Sequence, residues 1–142
     1  YCCHMTQAPI TAYQETKGML YFARMLDKIR KHTEDNLRED FHGHLGVGLD
    51  GRCCSFLRID YKKLIEETLK GGSDESLLEW CYKNGRELDE NDILIWNHFL
   101  TKLGWNDQVT ELVAERKAES GLSDRNDIVT MVEYFEYDEG RK

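Results

Sequence analysis

One proline sets the terms for this chain. Pro9 stands ahead of every periodic apolar segment, so nothing downstream is barred from a helix by a missing backbone donor. Punctuation falls instead to glycine. The spacing predicts a helix from Met19 to about Thr33, where Met19, Phe22, Leu26 and Ile29 recur at three- and four-residue steps. Arg24, Asp27, Lys28 and Lys31 fall on the opposite face, which the pattern assigns to solvent and to salt bridges. Tyr61, Leu64, Ile65, Thr68 and Leu69 repeat the pattern up to the stop at Gly71-Gly72. Ser73 then caps a helix carrying Leu77, Leu78, Trp80 and Cys81, closed by Gly85.

Asp89 caps the next helix. From Ile93 to Leu103 it is apolar on most sides, which predicts a central helix packed all round, with Trp96 in the core. Gly104 ends it. Val109, Leu112, Val113 and the stem of Arg116 form another stripe, ended by Gly121. Ile128, Met131, Val132 and Phe135 form the last, ended by Gly140. The expectation is an all-α fold: a compact single-domain bundle of six or seven helices over residues 5–142. Tyr1 to His4 read as a cloning remnant before a natural start at Met5.

One stretch has two readings. Leu45, Val47 and Leu49 alternate with glycines and run into Asp50-Gly51, a two-residue hairpin signal. The rival reading is a glycine-rich loop followed by a helix that turns Cys53, Phe56 and Leu57 inward. It is preferred because Gly46 and Gly48 weaken a strand.

Charge narrows the choice of partners. With 19 basic and 27 acidic residues the net charge is -8, which repels phosphate backbones and anionic membranes. No apolar run is long enough to cross a bilayer and no secretory leader is visible, so the cytoplasm is the expected location. With Cys2 and Cys3 set aside as remnant, Cys53, Cys54 and Cys81 form no paired framework, in keeping with a reducing compartment.

The strings GMLYFARMLDKIRKH, FLRIDYKKLIEETLKGGSDESLLEWC and WNHFLTKLGW together resemble a bacterial family, number five-zero-six-nine in the series of domains of unknown function. The run from Arg24 to Lys28 and the junction from Gly71 to Glu75 carry most of the likeness, which spans nearly all of the chain after Met5. The resemblance implies a bacterial source. It also implies that shorter relatives replace the His42 to Gly48 stretch while keeping an acid and an arginine spaced like Asp50 and Arg52. It carries over no catalytic residue.

The densest cluster of titratable residues and glycines lies between Asp40 and Arg52. His42 and His44 can exchange protons near neutral pH, Arg52 can fork onto a carboxylate or phosphate, and Asp50 supplies a carboxylate. Structural alternatives stand beside each. The histidines can be solvated turn residues, Asp50 a helix cap, and Arg52 the partner of a neighbouring acid. His42 and His44 also have ligand spacing, with Asp50, Cys53 or Cys54 close in sequence. Because no second spaced pair exists, neither a structural metal nor a cofactor is expected. No nucleophile has a motif around it, and Gly46-x-Gly48 lacks the rest of a phosphate loop. Two functional classes fit. The first is a domain, enzymatic or not, that binds a small molecule through His42, His44, Asp50 and Arg52. The second is a non-catalytic interaction or homo-oligomerising module that buries an exposed helix face. The first is preferred, since this loop is more chemically loaded than a connector requires.

Overall fold

The computed structural model describes residues 6–142; the expected cloning remnant, Tyr1 to His4, lies outside the described residues. Among the described residues the fold is all-α apart from one two-stranded ribbon and a single parallel bridge between Gln7 and Leu37, and it forms two compact units, one ending at Ile93 and one beginning at Leu94.

The first unit opens with that ribbon. β1 (Glu15–Thr16) and β2 (Met19–Leu20) pair antiparallel, Thr16 opposite Met19. Lys17 and Gly18 join them with φ of 50° and 85°, the two positive angles that a type I′ turn demands. The hairpin alternative for Asp50-Gly51, the less favoured reading of that stretch, is thus overturned, and Met19 is a strand residue rather than the start of a helix. α1 begins later, at Phe22, and runs to Thr33. Its N-cap is Tyr21, at φ 76°.

α1 is covered on more than one side, because β1, α3 (Tyr61–Leu69) and α4 (Asp74–Asn84) all pack against it. Phe22, Met25, Leu26 and Ile29 are buried as their spacing requires, but so are Arg24 and Lys28. The solvated charged face expected for those two residues is thus corrected: two of its cations lie in the interior.

After a 3-10 turn at Glu39–His44, α2 spans Leu49–Leu57 and contains Asp50 and Gly51. The loop-then-helix reading describes this segment. Cys53, Cys54 and Leu57 face inward and Phe56 is half-buried. Arg58 ends α2 in the left-handed region, and Asp60 caps α3 by accepting the Lys63 N–H at 3.2 Å. Ser73 caps α4 in the same way, accepting from Ser76 at 3.1 Å. At Gly85 the chain passes so close to α2 that an added Cβ would lie 2.2 Å from the Leu57 carbonyl oxygen.

α5, Glu90–Lys102, gives most of its length to the second unit. Asp89 and Asp92 cap its start reciprocally, at 2.8 and 3.0 Å. Trp96 and Leu100 are buried, but Leu94 and Ile95 are 53% and 55% exposed, so α5 is not the fully enclosed helix its composition suggested. Gly104, at φ 108°, turns the chain toward α6 (Thr110–Glu119). α7 (Met131–Asp138) starts from a capping box between Thr130 and Glu133. Val113, Ile128, Met131 and Tyr134 form the core of this unit. Among the described residues no helix is long and apolar enough to cross a membrane.

Candidate functional site

The glycine loop is held from below. The Asp50 carboxylate is fully buried in the first turn of α2 and accepts three donors. The Tyr21 hydroxyl donates to Oδ1 at 2.6 Å, and Lys28 Nζ and the Gly46 N–H donate to Oδ2 at 2.8 and 3.0 Å. Lys28, its side chain only 5% exposed, also donates to the His44 carbonyl at 3.0 Å. One ammonium on α1 therefore fixes the loop twice, through Asp50 and through the backbone of His44.

The sequence dictates why the loop can fold this tightly. Gly46 and Gly48 both take positive φ, 75° and 60°. At Gly46 a Cβ would fall 2.7 Å from the Tyr61 ring, so a side chain is excluded by shape as well as by torsion. Gly48 then opens α2 directly, with no side chain capping its first turn.

Above this floor the other candidate residues are exposed. His42 Nε2 donates to the Leu37 carbonyl at 2.9 Å, and its ring meets His32 edge-on at 4.8 Å between centroids. The His44 ring and the Arg52 guanidinium reach solvent. Arg38 forks onto Asp40 at 2.7 and 2.8 Å, and this bidentate contact holds the Asp40 carboxyl below the usual carboxylate range. Arg24 and Arg38 both lie against the ring of Phe41, at 5.6 and 5.0 Å, and Arg24 also donates to the Ile10 carbonyl.

The four residues picked from sequence thus separate into two layers. His42, His44 and Arg52 are accessible, whereas Asp50 is committed to internal partners and supports the loop from within. It does not cap α2. Tyr21 and His32 were missed and Lys28 was placed on a solvated face, since nothing local ties them to the loop: Lys28 and Asp50 stand 22 residues apart, Tyr21 and Asp50 29.

The buried phenol of Tyr21 and the three buried thiols are held in their protonated forms. Burial first, and the Asp50 charge second, push the Tyr21 phenol well above its ordinary range, so it remains a hydrogen-bond donor. Burial likewise raises the Cys53 thiol and pushes Cys54 and Cys81 up to about 12. These cysteines are thiols at neutral pH, not thiolate nucleophiles. Among the described residues no three His, Cys, Asp or Glu side chains converge as a metal-ligand set.

Over residues 6–141 the sequence matches the model of a family described as Domain of unknown function (DUF5069). The chain belongs to this family. A search of curated proteins found no match. The match covers both units of this DUF5069 chain, the anchored loop and α5 included. The candidate site is a tightly held backbone loop with an ion pair beneath it and two imidazoles and a guanidinium exposed above.

Proposed function

We propose that this domain binds a small anionic molecule on the outer side of the 42–52 loop, through His42, His44 and Arg52. The observation that carries the reading is the Lys28–Asp50 anchor. It fixes the backbone under these side chains and neutralises the Asp50 carboxylate beneath them. A loop held this way has little left to order on binding, which lowers the cost of capture. Asp50 acts as a positioning residue in this reading, since its oxygens are spent on Tyr21, Lys28 and Gly46.

Thermal-shift titration with inorganic phosphate and with citrate tests it, because a ligand that binds only the folded state raises the midpoint. The expected result is a concentration-dependent rise that is lost in His42→Ala/Arg52→Ala. Equal binding by that double variant, folded by circular dichroism, or no response to either anion, would refute the proposal.

A further inference from the structure

The last turn of α1 and the 3-10 turn before α2 bring two imidazoles together. The rings of His32 and His42 stand edge to face, 4.8 Å between centroids and inclined at 72°. Both residues are exposed. Two imidazoles that share one ion, at a metal–nitrogen distance of about 2.0–2.1 Å, put their ring centres about 3.2 Å from it, hence about 4.5 Å apart at a right angle and about 5.2 Å at the tetrahedral angle. The observed separation lies between those two values. His42 is also prepared for the role. Its Nε2 must carry the proton, because the Leu37 carbonyl that it meets at 2.9 Å can only accept. In the neutral ring the lone pair is then on Nδ1. An imidazole whose other nitrogen donates to a backbone carbonyl is the usual form of a metal-ligating histidine.

The surroundings favour a cation. His32 lies in the last turn of α1, at the negative end of the helix dipole. Its cationic neighbours are already matched, Arg30 with Asp74 and Lys31 with Asp27. Glu39 stands one 3-10 turn before His42, on the same side of that turn, and Glu34 follows closely after His32; both acids are exposed. We propose that His32 and His42 together bind one divalent transition-metal ion of the kind that imidazole suits, such as zinc, nickel or copper. Two protein ligands leave the other positions of the ion to water, so the ion exchanges freely and does not hold the fold together. The site shares His42 with the anion reading but does not rest on it, since His32 has no part there.

Calorimetric titration with zinc chloride tests this, in phosphate-free buffer and in a Cys2→Ser/Cys3→Ser/His4→Ala background that removes the donors at the chain start. The expected result is one zinc per chain. Losing a ligand should cost at least the roughly tenfold in affinity that losing a ligand's supporting partner costs, so His32→Ala and His42→Ala should each weaken binding by about that factor or more. His44→Ala and His98→Ala should leave it unchanged. The His32 ring is exposed, so His32→Ala decides the matter even where His42→Ala, which also frees the Leu37 carbonyl, fails to fold by dichroism. No heat with submillimolar zinc, or full-strength binding by His32→Ala, overturns the proposal. A loss in His44→Ala as large as in His32→Ala overturns the two-imidazole site. Phosphate titration with a chelator present reads the anion site alone, so either reading can fail without the other.

Discussion

The Lys28–Asp50 pair offers the most direct test of the interior. Asp50→Asn keeps the shape but leaves one acceptor oxygen where there were two, so the amide NH2 must face either Tyr21 or the Gly46 N–H and Lys28, and the buried Lys28 ammonium loses its counter-charge. Lys28→Met keeps the stem volume and leaves the Asp50 carboxylate with two donors and no counter-charge. Breaking a buried pair by removing one partner costs about 3–5 kcal/mol, because the remaining charge stays desolvated. Each single variant should lose about that much, a large part of a typical stability of about 5–15 kcal/mol. Lys28→Met/Asp50→Asn removes both charges together, so its cost should fall short of the sum of the singles by about 2 kcal/mol or more. Urea denaturation followed by tryptophan fluorescence supplies all three differences. The loop provides a second readout, since hydrogen exchange at the Gly46 amide should accelerate in Lys28→Met more than at the α4 amides. Single losses below about 1 kcal/mol that simply add would mean that the pair behaves like an exposed one, and would refute the dry anchor.

Gly85→Ala should destabilise by about 2 kcal/mol or more, since its Cβ meets the Leu57 and Arg58 carbonyls at 2.2 and 2.8 Å; an unchanged denaturation midpoint would refute that contact. In a Cys2→Ser/Cys3→Ser background, Cys53, Cys54 and Cys81 should resist Ellman's reagent at neutral pH until the protein unfolds, and rapid native labelling would refute their burial. The raised thiols also set an alkaline limit. Below their ordinary value of about 9 both folded and unfolded forms hold the proton and stability is intact. As pH rises from there toward about 12, the unfolded chain releases protons that the folded one keeps, so the urea midpoint should fall steadily.

Much of the fold was legible because its signals are local. Ser73, Asp89 and Gly104 punctuate the helices where their chemistry says they should, and the 3.6-residue spacing of Phe22, Leu26 and Ile29 marks α1. The failures at α1 and α5 both concern how many sides of a helix its neighbours cover. α1 is packed by β1, α3 and α4, so Arg24 and Lys28 are enclosed despite lying opposite the apolar stripe. α5 errs the other way: its apolar residues exceed what its own fold covers, leaving Leu94 and Ile95 outside. The hairpin that does form is instructive too. Lys17-Gly18 makes the turn between Thr16 and Met19 without the Asn-Gly or Asp-Gly signature that marks such turns, whereas Asp50-Gly51 carries that signature inside a helix. At Asp50 the local preference for a turn lost to a long-range one, since Lys28 and Tyr21 draw its carboxylate inward. The exposed half of the candidate site was readable from residue types; its foundation, made of residues far apart in the chain, was not.

Tyr21 carries two obligations that conflict. Its backbone sits at φ 76°, where a residue with a side chain pays of order 1–3 kcal/mol and glycine pays almost nothing. Its hydroxyl, however, completes the hydrogen bonding of Asp50 at 2.6 Å. A residue that relaxes the torsion cannot reach the carboxylate, and one that reaches it cannot relax the torsion. Substitution at this position should therefore depend on what stands at position 50. Relatives that carry glycine at position 21 should be those that have also given up the aspartate, whereas those that keep the acid should keep the phenol and tolerate the cramped backbone beneath it.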